Sequence, residues 1–413
     1  MTTKPKITAA VRHRDFALLW GGQTISLIGN GMYTVTLPLE VLRLHGSPLD
    51  LALVVSARTV PMVLLLLAGG TIVDRLSRRL VMLVSDTSCG ILVAAAAILI
   101  ALGQIHIWEL ALLGAGFGFA SAFFRPASTA IVPDIVPPEA LMSASSLSTL
   151  SQSLSQYLLG PLTGGLFVAG FGTAWAFGID ALSFAVSAAC LAAMHRTRRP
   201  TGSGARMIAA LKEGICYCRS QAWLWWSLVA VGVTNVVCIS PLAVLQPLLV
   251  AHVFRAGSVA LGLMYAASGV GGAAASLCAS RWPPKRRVTY IWVSWASAGA
   301  GVIALGLAPT LWMALICAGV TWFCTTYGNV VWFPLMQQEV PPDMLGRASA
   351  VDWALSLALA PLGTVIAGAL VPLIGVRLML IIGGVLTTAA GTVLLVPGVT
   401  DPDLRASRPL NAT

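Results

Sequence analysis

The chain is predicted to be an all-α integral membrane protein with twelve transmembrane helices in two pseudo-symmetric six-helix bundles. Three observations carry this reading. Of 413 residues, 57% are hydrophobic and only 10% are charged, a balance that no water-facing surface of this size sustains. Apolar runs of the roughly 20 residues needed to cross a bilayer core recur along almost the whole sequence. Lipid admits only helices and closed barrels, and no run alternates with the period of two that a barrel strand needs. The third observation is a pattern that repeats at half the chain length.

In order, the apolar runs and their breakers predict spans at 16–39, 50–73, 80–102, 107–132, 143–168, 171–193, 222–250, 258–280, 288–307, 310–334, 348–371 and 374–396. Gly170 and Gly172 mark the turn between spans five and six. The one long connection lies between spans six and seven. The domains expected are therefore a first bundle (1–193), a linker (194–221), a second bundle (222–400) and a tail (401–413). In the linker, Met207, Ile208, Leu211 and Ile215 fall on helical spacing, which suits a helix at the membrane interface.

Lys and Arg set the orientation. With the first residues inside, inner segments hold 20 of the 25 basic residues. Outer loops hold three, Arg43, Arg255 and Arg377. That bias predicts a cell-membrane protein with both termini cytoplasmic. The net charge of +10 is spread over short loops, so it signals orientation and not nucleic-acid binding. Six of the eight cysteines lie in apolar runs as small hydrophobes, so no disulfide, metal site or cofactor is expected. The basic N-terminal stretch leads into a full-length span, and no cleaved signal peptide is expected.

The halves echo each other. Val136-Pro-Pro-Glu139 recurs as Val340-Pro-Pro-Asp343, Gly160-Pro161-Leu162 as Ala360-Pro361-Leu362, and Asn30 has a counterpart in Asn235. Such repeats in transporters place a binding site near the midplane.

Between spans two and three lies Gly70-Thr-Ile-Val-Asp74-Arg75-Leu-Ser-Arg78-Arg79. This Gly-x-x-x-Asp-Arg-x-x-Arg-Arg turn, with twelve spans in two halves, resembles the major facilitator superfamily of transporters. Phe123-Phe124-Arg125-Pro126-Ala127, the stretch Val132 to Pro137, and Val340-Pro341-Pro342 with Gly346-Arg347 resemble the group that contains the enterobactin exporter and macrolide efflux pumps. Gly160-Pro161-Leu162-Thr163-Gly164-Gly165 is similar to the Gly-Pro-x-x-Gly-Gly core of the superfamily's antiporters, although Gln156 stands where the fuller pattern has Gly. Pro161 removes a backbone donor and Gly164 and Gly165 let a neighbouring helix come close.

The resemblance implies roles. Asp74 would meet the N-terminus of span eleven, near Arg347, where a helix dipole favours an anion. Arg78 or Arg79 would pair with an acid at the end of span four, Asp134 being nearest. Gly70, Asp74, Arg75, Arg78, Arg79, Asp134 and Arg347 together would form a gate. Asn30 stands where relatives often carry Asp, so any coupling proton would need another acid.

Ionisable residues inside the membrane are costly and are functional candidates by default. Arg58 and Asp180 lie at matching depth, which permits a pair or a shared polar cavity. Asp86 and Arg125 lie at matching depth near the other face and permit a second pair, with Asp352 at similar depth. The cavity wall is expected to draw on Gln23, Asn30, Tyr33, Thr34, Asn235, Gln246, Trp322, Tyr327, Asn329 and Trp332. No phosphate loop, metal spacing or Ser-His-Asp arrangement appears, so the chain is not expected to be an enzyme. The expected function is a monomeric secondary exporter of a small amphiphilic molecule (a drug, antibiotic or siderophore), coupled to protons and conferring antibiotic resistance. A lipid or lysophospholipid translocator of the same fold is the alternative.

Overall fold

A computed structural model describes residues 10–68, 77–195, 207–282, 284–400 and 402. All of the regular structure among them is helical. Eleven helices in this set are long and apolar enough to cross a membrane. The remaining predicted span, the fifth, is helical from Leu141 to Phe171. Its first half is rich in Ser and Gln, which lowers its hydropathy.

The described residues form two compact units. One gathers those of Met1–Ala205 with Ala256–Ala266, and the other those of Arg206–Arg255 with Ala267–Thr413.

In the first unit, span one is Arg14–Arg43, span two Pro48–Ala68, span three Arg78–Ala101 and span six Thr173–Ala193. Span four runs Ile107–Ser121, turns at Ala122 and Phe123, and resumes as Phe124–Ile135. Pro126 explains the break, because it has no N–H to continue the ladder. Span five changes register in the same way. Leu141–Ser151 opens into a π-helix at Gln152–Leu159 immediately before Gly160-Pro161, then continues as Gly160–Phe171. Such π segments often mark functional positions. Gly172 alone, at φ +86°, turns the chain from span five into span six. Only glycine adopts that conformation freely. Span one packs along spans five and six, span three against six, and span two against four.

In the second unit, span seven covers Ala222–Thr234, a π-helix at Asn235–Ile239, Leu242–Leu248 and a second π-helix at Leu249–Val253. Span eight, Ser258–Arg281, belongs to the first unit up to Ala266 and to the second from Ala267, nine is Arg287–Leu307 and ten Leu311–Glu339. Span eleven joins Pro342–Leu357 to Ala360–Ile374, and span twelve is Val376–Ala390. Gly375, at φ +82°, repeats the role of Gly172. Span nine packs along ten and twelve. The linker helix, Met207–Ser220, packs along span eleven.

Candidate functional site

Spans one, two, four and six of the first unit converge on Arg58. Its Nη2 donates to Asn30 Oδ1 at 3.3 Å. Its guanidinium lies 4.7 Å from the centre of the Tyr33 ring and 4.2 Å from that of Phe117. Tyr33 in turn stacks on Phe117 and meets Phe177 edge-on. The cation is thus held by two aromatic faces and one amide oxygen, a low-polarity cradle that fixes a guanidinium well. Asn30 is itself positioned, because its Nδ2 donates back to the Ser26 carbonyl at 3.0 Å.

Asp180, on span six, is 1% exposed. Its Oδ1 accepts from Ser183 at 3.4 Å, and its Oδ2 has no hydrogen-bond partner among the described residues. A Cβ at Gly29 would fall on Asp180 Oδ1 and on the Ser183 hydroxyl, so glycine there makes room for the acid. The depth of Arg58 and Asp180 allowed a pair. They do not form one within 4.0 Å, because Tyr33, Phe117 and Asn30 take up the guanidinium.

The second predicted pair is a correction. Asp86 is buried, and its Oδ2 accepts from Ser187 at 2.5 Å. Arg125 is exposed at the break in span four and makes no ion pair with it. Equal depth does not place two residues on facing sides of their helices, and Asp86 faces span six.

At the start of span three, Ser77 caps the helix by accepting from Leu80 N. Arg78 Nη1 bonds Asp134 Oδ2 at 2.6 Å and the Ala130 carbonyl at 2.7 Å. Arg79 donates to the Leu191 and Ala192 carbonyls at 2.6 and 2.5 Å. These are orphan carbonyls at the end of span six, where a cation also suits the helix dipole. Gly70, Asp74 and Arg75 lie outside the described residues. Arg347 pairs with Glu213 of the linker helix at 3.0 Å. A Cβ at Gly214 would sit 2.6 Å from the Arg347 carbonyl, so the two helices touch backbone to backbone.

The Gly-Pro-x-x-Gly-Gly segment is where span five meets its neighbours. A Cβ at Gly160 would lie 2.6 Å from Gly31 Cα, one at Gly164 2.8 Å from Met32 Cα, and one at Gly165 2.7 Å from the Ser258 carbonyl. Ser258 Oγ also donates to the Gly165 carbonyl at 2.9 Å. Small residues at these positions allow helices to touch along their backbones.

The second unit holds a cavity of about 290 Å³ between spans seven, nine, ten and eleven. Of the predicted wall, Asn235, Trp322, Asn329 and Trp332 line it. Gln246 is buried elsewhere, Thr34 is exposed, and the Tyr327 hydroxyl donates to the Trp282 carbonyl. Asp352 also lines the cavity and accepts from Trp332 Nε1 at 3.3 Å. Sequence reasoning missed Phe117 as a holder of Arg58 and missed Trp295 and Trp353 in this wall. It also missed Glu40, fully buried, which binds Arg43 at 2.6 Å and accepts from Thr173 at 2.5 Å. An aromatic residue in an apolar run carries no mark of which face it occupies. Glu40 near Arg43 at helical spacing was a signal that could have been read.

A family model described as transmembrane secretion effector matches residues 6–412. The enterobactin exporter EntS of Salmonella typhi is 25% identical over 361 residues, covering 87% of this chain and 86% of that protein. The EntS of Citrobacter koseri is 24% identical over 359 residues, covering 87% and 85%. Among solved structures, a bacterial homologue of the iron transporter ferroportin in an inward-facing state superposes with a TM-score of 0.71 at 17% identity, covering 96% and 99%. The nucleoside transporter NupG gives 0.71 at 13% identity, covering 96% and 99%. The chain belongs to the transmembrane secretion effector family of the major facilitator superfamily and is a multi-pass inner-membrane secondary transporter, not an enzyme.

Proposed function

We propose that this protein exports a small amphiphilic molecule, such as a drug, antibiotic or siderophore, by alternating access of its two units, with protons moving the other way. The observation that carries the coupling reading is Asp180. It is buried, it lacks a partner on Oδ2, and it stands in a helix bundle where an unmatched acid is expensive. Such a group can take up and release a proton as the bundle opens and closes. With Asn30 bound to Arg58, span one supplies no acid at that position, and Asp180 takes the role instead. Relatives named as enterobactin exporters support the direction of transport.

Gating belongs to the turn around Gly70, Asp74 and Arg75 together with Arg78, Arg79, Asp134 and Arg347. Arg78 and Arg79 tie the start of span three to spans four and six, so a movement of that turn would reach the whole first unit. Both termini are read as cytoplasmic and the protein as a monomer. The test is efflux of a fluorescent amphiphile from cells overproducing the protein, with and without a protonophore. Efflux that the protonophore abolishes, and that Asp180→Asn also loses, supports the reading. Efflux unchanged by both would remove proton coupling and Asp180 from it.

A further inference from the structure

We propose that the cavity of the second unit binds the head group of an organic ammonium ion, with Asp352 as counter-charge and the indoles of Trp295, Trp322, Trp332 and Trp353 as walls. The chemistry of the lining argues for this occupant. Among the described residues no Lys, Arg or His lines the cavity, so its wall suits a cation better than an anion. Asp352 is 7% exposed, and among the described residues its carboxylate has one donor, Trp332 Nε1, and no cation within 4.0 Å. A carboxylate so enclosed needs a proton or a cation to balance it.

The aromatic residues favour the cation. Trp332 lies between Trp223 and Trp295 at ring distances of 6.1 and 5.9 Å, and Trp353 stacks on Phe333 at 6.4 Å. Indole rings carry electron-rich faces, which attract quaternary and tertiary ammonium groups. The first unit supplies a contrast from within the same protein. There, Tyr33 and Phe117 hold a cation that the chain itself provides, Arg58. The second unit has the aromatic walls and the acid but no residue that fills the cation's place. Trp322 Nε1 is buried with no partner among the described residues, so an ether or carbonyl oxygen near the ammonium would add to the affinity of a fuller ligand. At about 290 Å³ the cavity fits a head group, with the rest of an amphiphile extending from it.

This inference deepens the exporter reading by naming a substrate class, but its test needs no transport. Full-length protein in lipid nanodiscs would be titrated calorimetrically with benzyltrimethylammonium and, separately, with benzenesulfonate, a soluble anion of similar size. The ammonium should bind saturably and the sulfonate should not. Asp352→Asn should weaken ammonium binding by about 10-fold or more, and Asp352→Glu by less than about 3-fold, since charge-assisted contacts are the strong ones. Trp353→Leu should weaken it by about 3- to 10-fold and Trp353→Phe much less, because a phenyl ring keeps an electron-rich face. Equal binding of the sulfonate, or a folded Asp352→Asn protein with wild-type affinity, would overturn the proposal. Should Asp352→Asn fail to fold, the Trp353 pair decides, and equal affinities of Leu and Phe would overturn it. Ammonium binding without any efflux from cells would leave this inference standing and sink the exporter reading. Efflux of an amphiphile without ammonium binding would do the reverse.

Discussion

Gly160→Ala tests whether span five is held to span one by backbone contact. An added Cβ would lie 2.5 Å from the Ile28 carbonyl, 2.6 Å from Gly31 Cα and 2.9 Å from the Ser155 carbonyl. Ordinary contact begins near 3.4 Å, so span one must retreat by at least about 0.9 Å, the difference from the Ile28 carbonyl distance of 2.5 Å. All three neighbours are backbone atoms and cannot swing aside as a side chain would. Overpacking of this kind costs about 1–3 kcal/mol, and backbone obstruction puts this site near the top of that range. Alanine's better helix propensity returns about 1 kcal/mol, leaving a net loss of about 2 kcal/mol. Gly170→Ala is the control, because a Cβ there meets nothing within 4 Å. It should stabilise the protein by up to about 1 kcal/mol. The gap of about 3 kcal/mol should appear in reversible unfolding in mixed micelles, with Gly160→Ala well below wild type and Gly170→Ala at or above it. Gly31→Ala should match Gly160→Ala, and the double variant should cost less than their sum, since both break one contact. A Gly160→Ala protein as stable as Gly170→Ala would refute the reasoning.

Arg79→Ala should destabilise the protein by about 1.5 kcal/mol, the low end for losing a charged donor, because its bond to the Leu191 carbonyl is part-buried and that to the Ala192 carbonyl is exposed. Asp134→Asn should cost no more than about 1 kcal/mol, since Arg78 and Asp134 are 24% and 36% exposed and solvent screens the pair. Melting curves in detergent that reverse this order would contradict the contacts. Asp180→Asn should be as stable as wild type or more so, because it removes an under-partnered buried charge, while its efflux loses the protonophore-sensitive part. A large loss of stability would instead make Asp180 a structural residue. In the linker helix, burial against span eleven pushes the Cys218 thiol up to about 11, with Asp352 adding to the rise. At pH 8 it should resist maleimide, whereas exposed Cys216 should label within minutes. Fast labelling of Cys218 in a background lacking the other cysteines would show that the linker helix is not docked.

The halves solve one mechanical problem twice. Gly172 and Gly375 turn the chain between consecutive spans with the same left-handed geometry. Pro161 and Pro361 both stand at the second position of a helix that restarts after a break. Chemically the halves differ. Arg58 fills the aromatic cradle of the first, and among the described residues no basic side chain lines the cavity of the second.

The approximate number and limits of the spans, the Gly-Pro-x-x-Gly-Gly segment and a partner for Asp134 in Arg78 or Arg79 were legible in the sequence. Length and apolarity are properties of a segment, and the bilayer leaves a long apolar segment one main option. Position along each span follows from residue count as well, because a helix rises a constant distance per residue. Rotation about each helix axis was not, since every membrane helix is apolar on several sides and periodicity is faint. That is why equal depth permits a pair of Asp86 and Arg125 that the packing does not make, why it permits a pair or a shared cavity for Arg58 and Asp180 where the guanidinium meets Tyr33, Phe117 and Asn30, and why Trp295 and Trp353 went unseen. Which side chains share a cavity is decided by how the helices pack, and only the tertiary structure contains that.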